Sequence, residues 1–520
     1  MESVVPRQSR AIPVIAWSAI VIGLGALAMR LGLMGAPAEF DELYHVLAAR
    51  GILETGDPTI LDGQYVRGAL FTRTVAAMLW LTGDTGLATA RIVSVIAGTL
   101  IPVVLFLWLA RVATIAVGAV AAAFAILWPQ AIIEAQFVRF YAVHVLFFLS
   151  GAAAIHLALD TSGRTRVTLI LGAAACWALA LGFQVTTAIG AAGVLLATFL
   201  ILAARHVRTV RGRLLTASIC LSLVVVGLGI GLTTGLLEKA MAFYRWVPDH
   251  AAALRDYRTF YFDQLERSYG TLWYATLILG LLALRARPGL TVFCATAFLS
   301  TFLVHSFGGM KALRYLSYAM PFLFTIWAIG ILDIAHLVLR RLPRLGLIAP
   351  AAAIFVALAA VTPFAQRSLT LATGQGLPAR GDWSEARSVI GDWIDAPFVA
   401  TTRELHQIAH VGPYDMLISR SRVTELVPPQ DFGIDVRTGR PVIAEPASLA
   451  RMFDCRPDGL LVTSPHWWEV EGHAERLAPM IATRGYGLEI RQAGAVLAVR
   501  WRGAAATGCE TLAPPVAAAD

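Results

Sequence analysis

The sequence predicts an α-helical polytopic membrane protein that ends in a small α/β domain. Three observations carry this expectation. The 520-residue chain is 57% hydrophobic and only 15% charged, whereas about a quarter of an ordinary soluble domain is charged. Apolar runs close to the length that crosses a bilayer recur between residues 12 and 361. Beyond them the runs shorten, and strand-like and helix-like patterns alternate instead. The expected division is a membrane domain over 1–363 and an extracytoplasmic α/β domain over 364–520.

About eleven spans are expected, at 12–34, 87–110, 113–129, 141–159, 167–183, 186–204, 214–237, 270–284, 290–307, 316–338 and 345–361. The first run is long, lacks a small-residue cleavage site and is followed by further spans, so it is not read as a cleaved signal peptide. Stretch 69–81 is shorter, is interrupted by Arg73 and Thr74, and reads as a surface-lying amphipathic helix.

Basic residues give the orientation. Arg7, Arg10, Arg111, Arg164, Arg166, Arg205, Arg208, Arg211, Arg213, Arg285, Arg287, Arg340, Arg341 and Arg344 all fall on one side of this topology, which the positive-inside rule makes cytoplasmic. The net charge of +8 is accounted for in this way and does not point to nucleic acid. The first loop, the aromatic and basic stretch 238–269, and the tail then lie outside. That stretch is either a set of interfacial helices or a plain connector.

In the tail, a helix is expected at 385–393, strands at 398–402, 414–419, 441–445 and 459–464, helices at 448–453 and 474–484, and a hairpin at 488–491 and 495–501. His466 near Trp467, Trp468 and Glu469 is either a site or, more simply, a set of surface-loop residues. Cys176, Cys220 and Cys294 lie in apolar runs and read as packing residues. Cys455 and Cys509 are the two tail cysteines; they either form the one disulfide available outside or remain unrelated thiols.

Three clusters on the outer side carry charge. The first is Asp41 with Glu42, at the start of a short amphipathic helix bounded by Ala36-Pro37 and by Gly56 with Asp57-Pro58. Asp41 there is either a helix N-cap or a catalytic base fixed at a membrane surface. The second runs from Glu134 and Gln136 through Arg139, Phe140 and Tyr141, and the third from His305 through Lys311, Arg314 and Tyr315. Cations at outer span ends oppose the usual charge bias. Either they snorkel to the headgroups, or together with the acid pair they hold an anionic ligand such as a lipid phosphate.

The stretch from Asp41-Glu42-Leu43-Tyr44 to Ala48-Ala49-Arg50-Gly51-Ile52-Leu53-Glu54-Thr55-Gly56-Asp57 resembles the first-loop signature of the membrane-integral GT-C glycosyltransferases. The branch it is similar to contains protein O-mannosyltransferases and the bacterial aminoarabinose transferase of lipid A. Gly83 to Arg91 followed by Ser94, Arg139-Phe140-Tyr141, Lys311-Ala312-Leu313-Arg314-Tyr315 before Pro321, and Asp382-Trp383 resemble that branch in order and spacing.

The resemblance covers the membrane part and is weak across the tail. It implies transfer of a monosaccharide, hexose or pentose, from a polyprenyl-phosphate carrier to an envelope lipid, glycan or protein. It implies a bacterial inner, or plasma, membrane protein whose active site and C-terminal domain face the periplasmic side. It implies Asp41 as the catalytic acid residue with Glu42 beside it, and Lys311, Arg314 and Arg139 as ligands of the donor phosphate, with Tyr315 and Arg67 as further members. Gly68-Ala69 departs from the usual pattern after Arg67. No metal or cofactor is implied.

Elementary chemistry agrees. A glycosyl phosphate already has a good leaving group, so direct displacement needs one base and cations on the departing phosphate. Asp41 and Glu42 are sequence neighbours and diverge on a helix, so they cannot flank a sugar as a hydrolytic pair. The alternative reading is a transporter or flippase of an anionic polyprenyl-linked lipid. It would call for ionisable residues and broken helices near mid-membrane in two repeated halves, and no such repeat is read here. A third reading, a membrane anchor presenting the tail to a partner, leaves the outer cations unexplained.

Overall fold

The computed structural model describes residues 7–206, 249–341, 346–376, 381–418, 426–427, 432–443 and 446–504, with isolated positions between 238 and 245. Each expected span has a helix except 214–237, which lies outside the described residues. Among the described residues six helices are long and apolar enough to cross a membrane, or up to eight if each of two bent pairs is one span. Ile115–Ile126 meets Pro129–Ala135 at 65°, and Ile348–Val361 meets Pro363–Ala372 at 80°. Proline opens the second helix of each pair, where its missing N–H costs nothing. Expected span 270–284 is likewise broken, into Thr271–Tyr274 and Thr276–Ala286.

The chain forms two compact units. One comprises Met1–Met34 and Arg91–Leu377. Its centre is Ser317–Arg341, buried without interruption from Ser317 to Leu332, as a helix surrounded by others must be. Phe124, Trp128, Tyr269, Phe324, Trp327 and Phe364 interlock as edge-on, tilted and, for Phe124 with Phe324, stacked rings in this core. Gly330 lets Thr276–Ala286 come close: a Cβ there would lie 2.6 Å from the Leu279 carbonyl oxygen.

The other unit comprises Gly35–Ala90 and Pro378–Asp520. Its eight-stranded sheet runs in the order Leu426–Val427, Phe432–Ile434, Pro441–Ile443, Met416–Ile418, Val399–Thr401, Asp458–Thr463, Val496–Arg502, Gly487–Ala493. The four middle strands are parallel and the flanking ones antiparallel. Parallel neighbours need crossover helices, and Glu404–His410 and Pro446–Cys455 are two of these. Both faces are covered. Met452, Phe453, Leu477 and Ile481 pack on one, and Trp383, Ala386, Ile390 and Trp393 on the other. Strands 426–427 and 432–434 and helix Glu404–His410 were not expected from the sequence. Cys455 is disulfide-bonded, and Cys509 lies outside the described residues.

Segment 35–90 is built into this second unit through a hairpin. Thr59–Ile60 pairs with Gly63–Gln64, and Leu61 at the turn has φ 53°. The Asp62 and Gln64 N–H groups donate to the Thr438 and Val436 carbonyls at 3.0 and 3.4 Å. Asp62 also pairs with Arg440 at 2.9 Å. Gly63 and Gly439 permit this approach, since a Cβ on either would lie 2.5 Å from backbone atoms of the other strand.

Candidate active site

The acid-bearing helix spans Phe40–Thr55 and ends at Gly56, whose φ of 88° suits a glycine C-cap. Its N-cap is Glu39. The Glu39 side chain accepts from the Asp41 N–H at 3.0 Å, and the Glu42 carboxylate accepts from the Glu39 N–H at 2.8 Å. This reciprocal capping box settles one alternative left open by the sequence: Asp41 is not the cap. Asp41 is half-buried in the first turn, where the helix dipole favours a carboxylate. Glu42 is fully buried and serves the helix terminus.

The helix is buried on more than the one face that its spacing suggests, from Glu42 continuously to Ala49. The Ala69–Thr82 and Glu404–His410 helices both pack on it. His45 Nδ1 lies 2.9 Å from Thr72 Oγ1, and its ring meets Tyr65 and Phe71 edge-on. Tyr44 stacks on Tyr65 at 4.8 Å. Phe40 stacks on His406 at 6.0 Å. Burial lowers the His406 pKa to about 4, with His410 and Arg403 adding in the same direction. Arg67 belongs to the same unit and is exposed, in the turn before Ala69–Thr82.

The cationic cluster belongs to the other unit. Arg139 lies in the irregular turn between Pro129–Ala135 and Tyr141–Ala158, and its carbonyl accepts from Ser94 Oγ at 3.1 Å. Its guanidinium donates to the Tyr141 hydroxyl at 3.4 Å and lies 5.5 Å from that ring's centre. Arg314 lies 5.7 Å from the same ring and 5.5 Å from the Tyr315 ring. Tyr141 is therefore shared by two guanidinium groups from distant parts of the sequence. Tyr315 stacks on His305 at 6.4 Å. His305 Nε2 and the Tyr318 hydroxyl are 2.9 Å apart, and Tyr318 donates to the Thr186 carbonyl at 3.2 Å. The buried Glu134 carboxylate accepts from Ser317 at 2.5 Å and from Gln130 at 2.9 Å.

Lys311 is used differently. Its ammonium donates to the carbonyls of Gly308, Leu254 and Arg255 at 2.5, 2.7 and 3.1 Å, which accounts for all three of its protons. It is 2% exposed, and burial holds its pKa below the ordinary lysine value. Nor does it share a helix face with Arg314. Residues 308–312 are irregular after Gly308-Gly309, and Leu313–Tyr315 is a single 3₁₀ turn. Three-residue spacing would give the two a shared face on a helix; here the preceding helix ends at Phe307, before Gly308-Gly309, and no such face forms.

Sequence reasoning placed Tyr141 in a cluster without giving it a role, and it missed Glu404 and Arg437 altogether. Both tail residues reach Tyr44 on the acid-bearing helix. Among the described residues no group of three or more His, Cys, Asp or Glu side chains is placed to hold a metal ion.

No protein-family profile matches the chain, and no curated protein sequence matches it. Solved structures do. ArnT from Cupriavidus metallidurans, an aminoarabinose transferase, is similar in its apo state with a TM-score of 0.60 at 13% identity, over 95% of this chain and 98% of that one. The same protein bound to undecaprenyl phosphate gives 0.58 at 14% identity, over 95% and 98%. The archaeal oligosaccharyltransferase AglB from Archaeoglobus fulgidus, in complex with an inhibitory peptide and a dolichol-phosphate, gives 0.58 at 12% identity, over 92% and 72%. The chain is a multi-pass membrane protein with the fold of the GT-C glycosyltransferases.

Proposed function

We propose that this protein is a polyprenyl-phosphate-dependent glycosyltransferase of a bacterial inner membrane, acting on the extracytoplasmic side. It moves a monosaccharide, hexose or pentose, to an envelope lipid, glycan or protein. The observation that carries this reading is the pair of guanidinium groups, Arg139 and Arg314, on one tyrosine ring. It occurs in a chain whose fold is shared with proteins solved with undecaprenyl phosphate and with a dolichol-phosphate.

In the proposed step the acceptor oxygen forms a bond to the anomeric carbon as the carbon–oxygen bond to the phosphate breaks. The phosphate leaves with that electron pair, and the Asp41 carboxylate takes the acceptor proton. Arg139 and Arg314 bind the departing phosphate with planar, charged donors. The Tyr315 hydroxyl supports them and Arg67 adds a further cation. Lys311 acts on this site indirectly, by tying residues 254–255 to the turn at Gly308.

Two measurements test the reading. Purified protein is expected to bind undecaprenyl phosphate, and Arg314→Ala to bind it at least about tenfold more weakly. Mass spectrometry of envelope glycolipids and glycans, with and without the protein, is expected to reveal one glycoconjugate that disappears. Binding unchanged in Arg314→Ala, or an unaltered envelope, refutes it.

A further inference from the structure

We propose that Glu404 and Arg437 of the C-terminal domain are positioning residues for Asp41 and act through Tyr44. The inference rests on the reading of Asp41 as the base. Tyr44 lies three residues after Asp41 on the Phe40–Thr55 helix, so the two project from neighbouring positions of one helix face. Arg437 Nη1 donates to the Tyr44 hydroxyl at 2.9 Å, and that hydroxyl donates to Glu404 Oε1 at 3.3 Å. The Arg437 guanidinium also lies 5.1 Å from the centre of the Tyr44 ring. The ring also stacks on Tyr65 at 4.8 Å and meets Phe40 edge-on at 5.7 Å.

The two tail residues are themselves held firmly. Glu404 begins the Glu404–His410 helix that packs on the acid-bearing helix. Arg437 sits in a tight turn in which the Thr438 and Gly439 N–H groups both donate to the Asp435 carbonyl. The Asp435 side chain accepts from the Arg437 N–H and the Thr438 hydroxyl, each at 3.2 Å. The same turn receives the hairpin 59–64 through Thr438, Val436 and Arg440. Arg437, Tyr44 and Glu404 therefore form a directed chain of hydrogen bonds, from the Arg437 donor through the Tyr44 hydroxyl to the Glu404 acceptor, at the first turns of the helix. It fixes rotation of that helix about its own axis, and with it the direction of Asp41. A misplacement of about 1 Å at a reacting group costs up to about a hundredfold in rate. The C-terminal domain thus has a catalytic purpose that needs no contact with substrate.

The test uses full-length protein in cells that lack the native copy. The readouts are formation of the glycoconjugate defined by mass spectrometry, undecaprenyl phosphate affinity, and thermal unfolding of purified protein. Tyr44→Phe keeps the ring and removes only the hydroxyl, and Arg437→Met removes the donor. Each is expected to slow product formation about tenfold with lipid affinity and Tm within error of wild type. Glu404→Leu is expected to behave alike, whereas Glu404→Gln, which keeps an accepting oxygen, recovers most of the rate. If Arg437→Met fails to fold, Tyr44→Phe decides alone.

Product formation within twofold of wild type in Tyr44→Phe, with Asp41→Asn inactive, overturns the positioning role and leaves the base in place. Slowing that follows Tm, with no recovery in Glu404→Gln, overturns it in favour of a purely structural role. An active Asp41→Asn overturns the underlying reading instead.

Discussion

Two stretches of this chain each bring a pair of like charges together, and in each the backbone takes one member. At the acid-bearing helix, the Glu42 carboxylate accepts the Glu39 N–H, while Asp41 joins the cap through its N–H and not through its carboxylate. At the cationic turn, Lys311 donates to three carbonyls while Arg314 lies over aromatic rings. The difference is one of range. Glu42 finds its partner three residues away, whereas two of the three carbonyls on Lys311 come from residues 254 and 255. A charge used locally can be recognised from its neighbours, and a charge used at long range cannot. Glu42 and Lys311 are each committed to holding backbone in place, and their role is structural.

The largest expected effect is at the acid pair. Asn fits the helix at position 41, so Asp41→Asn is expected to lower turnover by about a hundredfold or more with folding and lipid binding retained. Glu42→Ala is expected to lose about 1 kcal/mol of stability through the cap and to leave lipid affinity unchanged. A near-normal rate in Asp41→Asn would end the comparison, because both acids would then be structural.

The unit carrying the acids is also expected to be sensitive to acid. The folded pKa of His406, about 4, lies below the ordinary value near 6.5, so the unfolded chain takes up the proton first. The stability linked to His406 is therefore complete above about pH 6.5 and is lost as pH falls towards 4, a loss on the order of 2–3 kcal/mol. Unfolding of purified protein from pH 7.5 to 4.5 is expected to be less pH-dependent in His406→Gln. Equal slopes would remove His406 as the cause.

At the cationic turn the expectations for the two residues are opposite. Arg314→Ala is expected to weaken undecaprenyl phosphate binding about tenfold at unchanged Tm. Lys311→Met leaves three buried carbonyls without their donor and is expected to lower Tm by several degrees, with a smaller change in affinity. The reverse pattern would make Lys311 the direct ligand. Arg67→Ala is the smallest case: the side chain is exposed, so stability is expected to stay within about 0.5 kcal/mol. Affinity is expected to fall about twofold, the loss of one solvent-screened contact. Titration with undecaprenyl phosphate vesicles reads it, and a tenfold loss would promote Arg67 to the centre of the site.

Much of the fold was legible because its signals are local. Apolar runs marked the helices, Pro129 and Pro363 open the second helices of the bent pairs, and alternating patterns marked six of the eight tail strands. Strands 426–427 and 432–434 were missed because two or three residues carry no periodicity. Helix Glu404–His410 was missed because seven mostly polar residues do not read as a core helix. Glu39 escaped notice as the cap because Asp is the commoner N-cap and Asp41 stood beside it.

The candidate site was legible in composition and not in arrangement. Arg139, Tyr141 and Arg314 were each visible, but their meeting on one ring is a product of the helix packing. The docking of hairpin 59–64 on the turn at 435–440 relies on backbone N–H and carbonyl groups, which leave no signature in the sequence, and on one ion pair between residues far apart in it, Asp62 and Arg440.

The discontinuous make-up of the second unit has a consequence for biosynthesis. Its first segment ends at Ala90 and its second begins at Pro378. Roughly 290 residues must therefore be translated between the two, about 15–60 s of ribosome time at about 5–20 residues per second. Throughout that interval the nascent Phe40–Thr55 helix lacks Glu404 and Arg437, whereas His45 already has Tyr65, Phe71 and Thr72 around it. The helix can mature only when the last quarter of the chain arrives. A ribosome that stops early leaves this helix without its partners from the tail.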